Sequence, residues 1–382
     1  MRFVRAATAL SGSVTSMGIK PSETIQRVLL STTSRLVGEY DRPAAYVGHA
    51  WGFASRSAPA RWLQGPASRN AFVYSFETLP REPEAGVVIP DYSRGGELMC
   101  GMLAVLFGKR FDFHGMTQGS GHFQVPEMSA FSQLCDPRLP QNTHRPRNDF
   151  GVELDLGELV RIEPLALFDD SVADEIWKPF HSAAKFYLQA LQTVEREPEV
   201  AYLHLISSLE ILAGNFDYPK EELWDADLAA LLKEIRAGMK DGARVAERVA
   251  SRLYQVKRAF VRTVTELIDE QFFSGSDVSV PAYALQQVEF EKNIAAAYDL
   301  RSLYVHTGSP FGRWVDWPDQ ERALGKPVLN DKSLRKALER APTYQGLERV
   351  TRYCLIRFLD IKGVYAAPHG PKKPAPGVTA TA

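Results

Sequence analysis

The chain has 382 residues, 45% of them hydrophobic and 24% charged, with a formal net charge of -1. That length points to two or three domains with ample chain to bury a core, and the composition is ordinary for a globular protein. A charge near zero excludes nucleic-acid binding through a bulk basic surface and leaves room only for a local basic site. No apolar run approaches the length that spans a bilayer. Three cysteines, Cys100, Cys135 and Cys354, are odd in number and far apart, which suggests free thiols in a reducing compartment. The first twenty residues carry Arg2 and Arg5 before a run of small residues. They are too polar for a secretory signal, so the expected location is cytoplasmic.

The two halves of the chain differ in texture. Up to residue 165, short apolar stretches are broken by Gly, Pro and polar loops. Residues 71–76 and 86–89 read as strands, as does the alternation of Val152, Leu154 and Leu156. Residues 96–107 are dense in Leu and Met and read as a buried helix stopped by Gly108. Residues 136–149, rich in Pro, Asn and Arg, read as an exposed loop.

From Asp169 the pattern turns helical. Asp169, Asp170 and Ser171 are candidate N-caps for a helix running to Glu197, with Pro198 as its stop. A second helix covers residues 200–213 and ends at Gly214 and Asn215. Val245, Val249, Leu253, Val256, Phe260, Val264 and Leu267 keep helical spacing and predict one continuous stripe over six turns. Residues 286–306 form another helix, closed by Gly308 and Pro310, and residues 333–340 and 344–362 form the last two. The final residues, 363–382, are too poor in apolar residues to build a core and read as a disordered tail. The fold class expected is an α+β N-terminal domain (1–165), then an all-α helical bundle (166–362) and the tail.

Chemistry concentrates where the helix over 286–306 ends. Ile294, Ala297, Tyr298, Arg301 and Val305 recur at helical spacing, which sets Arg301 within an apolar stripe where an unpaired guanidinium is costly. It needs a carboxylate, backbone carbonyls or an anionic ligand. Glu210 is the expected partner, because it too interrupts an apolar run, that of Ile206, Leu209, Ile211 and Leu212. His306 follows Arg301 by five residues and lies about 140° around the helix. It occupies the last turn, where the helix dipole favours a cation, and an imidazole there can act as general acid or base. Arg301 can stabilise charge developing on a phosphorane, and Ser302 and Tyr304 can add hydrogen bonds. The residues alone equally allow a structural Arg–Glu pair with a histidine closing the helix.

The segment from Tyr298 to Gly308, YDLRSLYVHTG, resembles the signature of the HEPN superfamily, an Arg followed after four to six residues by His. It is most similar to the Apea-like branch, which Tyr298, Arg301, Ser302, Val305 and His306 match. Leu209 and Glu210 resemble the family's earlier Leu-Glu helix, and the resemblance covers residues 175–362. Thr307 stands between His306 and Gly308, where the family usually has Gly directly. The resemblance implies a homodimeric bundle in which both Arg–His pairs face one cleft across the two-fold axis. It also implies a metal-independent endoribonuclease that leaves a 2′,3′-cyclic phosphate and a 5′-hydroxyl, without cofactor, in toxin–antitoxin systems or antiviral defence against phage. An antitoxin or a phage component would be its other partner. Arg301 would then be the phosphate clamp and His306 the acid/base, supported by Glu210, Tyr298, Ser302 and Tyr304. Because some HEPN proteins do not catalyse, a non-catalytic module that dimerises and binds RNA or a partner is the alternative.

Other signals are weaker. Arg244, Arg248 and Arg252, spaced by four, form one ridge on a basic helix that also carries Lys257, Arg258 and Arg262. They are the candidate RNA-binding residues, or else a solvated face paired with Glu221, Glu222, Asp225 and Asp227. His114, His122, Cys135 and His144 match no zinc spacing, so no metal site is expected. Trp314 and Trp317 are placed to stack on bases or to cover the bundle.

Overall fold

The computed structural model describes residues 24–32, 35–50, 70–78, 91–127, 153–169, 171–224, 226–252, 256–274, 285–315 and 329–365. The strand expected at 86–89, the loop at 136–149, residues 366–382 of the tail and Val152, Asp170, Asp225, Cys135, His144, Leu253 and Trp317 lie outside them. The tail expected from residue 363 starts later: Val364 and Tyr365 bond the Leu359 carbonyl and pack on the core.

The N-terminal half builds a sheet from alternating side chains. Strands β1 (Ile25–Thr32), β3 (Tyr40–Arg42), β4 (Ala45–His49), β5 (Asn70–Glu77), β6 (Phe111–Gly119) and β7 (His122–Phe123) form one antiparallel sheet in the order β3-β4-β5-β1-β6-β7. A separate parallel pair joins β2 (Arg35–Val37) to β8 (Glu153–Asp155). Period-2 alternation puts Phe72, Tyr74 and Phe76 of β5 on one buried face, opposite Leu30, Val28 and Gln26 of β1. Helix α1 (Ser93–Phe107) packs on β6 and β1. It approaches so closely that a Cβ at Gly96 would stand 2.5 Å from the Phe113 ring. The helix ends as expected at Gly108, left-handed at φ 66°. The alternation through Leu156 does not continue as strand. Asp155 instead accepts the Gly157 N–H at 2.8 Å and caps a 3-10 turn that begins at Leu156.

The described residues of the second half are largely helical: α2 (Glu163–Ala166), α3 (Asp174–Thr193), α4 (Pro198–Ala213), α5 (Ala226–Gly238), α6 (Gly242–Arg252), α7 (Val256–Leu267), α8 (Glu270–Ser274), α9 (Phe290–Thr307), α10 (Gly312–Val315), α11 (Lys332–Arg340) and α12 (Tyr344–Ile361). Three expectations change. Helix α3 starts after Ala173, because Asp169 spends its carboxylate on a turn with the Ser171 N–H at 2.7 Å. Pro198 opens α4 instead of stopping α3, as a proline with no N–H does at a first helical position. The two ends of the stripe from Val245 to Leu267 serve different cores. Ala246 and Ala250 of α6 join Leu232 of α5 in a small separate cluster, while Phe260, Val264 and Leu267 of α7 enter the main core.

That main core runs without a break from the sheet (Val28, Tyr74) through α1 (Leu103), α3 (Phe180, Tyr187) and α4 (Leu209) to α9 (Leu300) and α12 (Phe358). Full burial of each such side chain contributes roughly 1.5–3 kcal/mol. Arg352 of α12 ties the halves together, donating Nε to the Val105 carbonyl at 2.7 Å and Nη2 to the Leu106 carbonyl. These are carbonyls of α1's last turn, which the helix itself leaves without partners.

Two buried groups make stability depend on pH. Glu348 of α12 is fully buried and accepts the Tyr187 hydroxyl; burial pushes its carboxyl up to about 8, against the pull of that hydrogen bond and of Arg352, Lys109 and Arg349. Its contribution is present below its ordinary value of 4.5 and lost as pH rises toward about 8. His181 of α3 lies 4.1 Å from the Trp177 ring, and neither ring nitrogen has a hydrogen-bond partner among the described residues. Burial, reinforced by Arg94, holds it down at about 3 against an ordinary 6.5, so stability falls as pH drops through that window. Glu348→Gln should flatten the alkaline limb of a urea-midpoint profile. His181→Phe should flatten the acid limb, stabilising by about 1–3 kcal/mol at its low end. A variant that keeps the wild-type profile would contradict its assignment.

Candidate functional site

Helix α9 packs on α4, α7 and α11, and this three-sided cover sets which of its residues reach solvent. Phe290, Ile294, Ala296, Ala297 and Leu300 are buried, whereas Val305 is 54% exposed and His306 is exposed. The stripe that begins apolar at Ile294 therefore reaches the surface in the last two turns. Arg301 sits at that transition.

Arg301 meets the partner expected from sequence. Its Nη2 lies 3.4 Å from Glu210 Oε2, and the two side chains are 31% and 22% exposed. Its guanidinium lies 5.8 Å from the centre of the Tyr298 ring, a cation–π distance. The Tyr298 ring in turn packs at 5.1 Å on Phe260 of α7. Burial first, then the negative charge of Glu210 and a hydrogen bond to it, push the Tyr298 hydroxyl up, while Arg301 pulls it down. The three side chains form one cluster that balances charge. Close guanidinium–carboxylate bonds run near 2.7–2.9 Å, often in pairs. At 3.4 Å through one nitrogen, this contact is loose, and it is Arg301's only hydrogen bond among the described residues. A guanidinium has five N–H donors, and one of them makes this bond.

His306 lies one turn further on. Helix α9 continues through Thr307 and ends at Gly308, whose φ of 67° is left-handed and whose N–H bonds the Tyr304 carbonyl at 2.8 Å. Thr307 donates its hydroxyl to the Leu303 carbonyl at 2.7 Å and accepts the Ser309 N–H at 3.2 Å. Thr307, between His306 and Gly308, thus extends the helix and knits its end. Beyond it, Phe311 is buried, the Gly312 N–H bonds Glu199 Oε1 at 2.7 Å, and the Tyr304 ring meets Phe311 edge-on at 5.7 Å. Phe311 meets Tyr202 in the same way at 5.5 Å. Tyr304 is thereby committed to packing through its ring, while Ser302 is half-buried.

The structure sorts the basic residues. Arg244 and Arg248 lie exposed on α6, with Arg244 at 3.3 Å from Asp241. Helix α6 packs chiefly on α5, away from the main core. Arg252 is the last residue of α6, and its side chain lies outside the described ones. On α7, Arg258 donates to the Leu223 carbonyl at 2.9 Å. Arg262 pairs with Glu222 and with Glu266, the latter at 2.9 Å, over the Tyr218 ring. Lys257 instead reaches α9 and bonds Asp299 at 2.6 Å. The ridge of Arg244, Arg248 and Arg252 therefore lies on α6, and the cation that bonds α9, Lys257, was not singled out by spacing. A fixed i,i+4 repeat does not show which face of a helix meets its neighbour.

In the N-terminal half, a cavity of about 600 Å³ is bordered by Asp91, His114, His122 and Glu127. His114 bonds the buried Ser31 hydroxyl at 2.7 Å and the Glu127 carbonyl at 3.1 Å. Among the described residues no cluster of three ligating side chains could hold a metal ion, and no helix is long and apolar enough to cross a membrane. Trp314 is partly buried against the core. Compared with family models, curated proteins and solved structures, the chain matches none.

Stability separates a structural Arg301–Glu210 pair from a loosely held clamp. Arg301→Ala should lower the unfolding free energy by about 1 kcal/mol or less, as for partly exposed pairs, in urea denaturation at neutral pH. A loss of roughly 3–5 kcal/mol, the range for a broken buried pair, would make the contact structural.

Proposed function

We propose that the chain is a HEPN-type, metal-independent endoribonuclease, acting in the cytoplasm in a toxin or phage-defence role. Arg301 holds the scissile phosphate and His306 moves the proton. The observation that carries this reading is the state of Arg301: a guanidinium bound at 3.4 Å through one nitrogen, on the helix that presents an exposed histidine in its last turn. The resemblance of YDLRSLYVHTG to the Apea-like signature supports it.

The chemistry follows from the two groups. Arg301 leaves Glu210 for the phosphate and stabilises the negative charge that grows on the phosphorane. His306 removes the 2′-hydroxyl proton or delivers one to the departing 5′-oxygen, and the products are a 2′,3′-cyclic phosphate and a 5′-hydroxyl. The angle of about 140° between the two positions suits a homodimer in which Arg301 of one subunit works beside His306 of the other. The exposed Val305 is a side chain that such a partner would cover. Glu210 and Tyr298 keep Arg301 oriented between turnovers, and the N-terminal sheet region is the part left to recognise an antitoxin or phage trigger.

One observation favours the alternative, a non-catalytic module that dimerises and binds RNA or a partner. His306 is exposed in the last turn of α9, whereas a catalytic histidine is held by an orienting third group. The two readings part on one experiment. Wild type, Arg301→Ala and His306→Ala are expressed with an inducer, and cell growth and RNA integrity are followed, with end-group analysis of products made in EDTA. Both variants should lose cleavage by at least about 100-fold, the scale of a single acid/base group, and EDTA should change nothing. Cleavage that persists in both variants, or that EDTA abolishes, rules the ribonuclease reading out.

A further inference from the structure

Asp299 and His306 stand seven residues apart on α9, which the helix carries unbroken from Phe290 to Thr307. Seven residues make two turns less about 20°, with a rise of about 10 Å, so both side chains leave the same face. Arg301 lies on the other flank. Lys257, from α7, delivers its ammonium to the His306 face by bonding Asp299 at 2.6 Å, with the two side chains 41% and 48% exposed. Arg258 and Arg262 on the same helix turn the other way, toward Leu223 and Glu222.

An ion pair this exposed contributes little to stability, so its placement calls for another account. A lone carboxylate on this face would repel a polyanion approaching His306. Paired with Lys257 it is neutralised, and the lysine is a flexible cation that a phosphate can draw away. Resting on the ribonuclease reading, we propose that Lys257 is a second phosphate-binding residue of the site. It contacts a phosphate neighbouring the one at His306, and Asp299 is its resting partner and competitor. Substrates long enough to reach about 10 Å past the cleaved bond gain this contact, and dinucleotides do not.

The salt slope and a dinucleotide control separate a direct phosphate contact from the general effect of a changed charge. Binding of a twelve-nucleotide single-stranded RNA, blocked by 2′-O-methylation, is measured by fluorescence anisotropy across a salt series. The proteins are the full chain, Lys257→Ala, Asp299→Asn and Arg301→Ala, with circular dichroism to verify folding. Lys257→Ala should weaken binding several-fold and reduce the salt slope by about 1, whereas Asp299→Asn should tighten it. A 2′-O-methyl dinucleotide should bind wild type and Lys257→Ala alike. If Arg301→Ala weakens binding while Lys257→Ala leaves affinity and slope unchanged, this inference fails alone. If the wild type binds no RNA, the ribonuclease reading fails and takes this one with it.

Discussion

A guanidinium within an apolar stripe must be compensated, and how α9 meets that demand governs the geometry of the site. Arg301 is compensated by a carboxylate from α4 and an aromatic face from its own helix. Tyr298 is in turn held by Phe260 of α7. Three helices therefore converge on one charge. Because the cluster lies where α9 emerges from the core, the compensation is partial: the side chain is held by one contact at 3.4 Å and stays 31% exposed.

The rest of the fold keeps that transition in place. Continuous packing from the sheet through α1, α3 and α4 holds Glu210 at the end of a rigid helix. Arg352 adds hydrogen bonds between α12 and the last carbonyls of α1. On the far side, Phe311 and the Glu199–Gly312 bond pin the chain just after His306. A histidine in the final turn of a helix would otherwise fray with it. Thr307 counters fraying through its own hydroxyl.

Much of this was legible in the sequence. The apolar run holding Glu210 and the apolar stripe holding Arg301 each contained one charge, and charges in such places must find one another. Gly108 and Gly308 marked helix ends correctly because only a left-handed residue closes those turns so tightly. What failed was tertiary. Val245 to Leu267 keeps its period although its two ends enter different cores, since periodicity records burial and not what does the burying. Pro198 was read as a stop although the same residue suits a start. Lys257 and Asp299 were invisible as a pair, 42 residues apart, until α7 and α9 were seen side by side.

The central claim is that Arg301 and His306 border a single surface for a phosphate chain. It is tested most directly by observing both side chains while RNA binds. In a protein carrying labelled histidine and arginine, the Arg301 Nε and His306 ring resonances are followed as 2′-O-methylated RNA is added, with the buried His181 as internal reference. The account predicts that Arg301 and His306 shift together along one binding curve while His181 stays still. Movement of one without the other, or of neither while RNA binds, would contradict it.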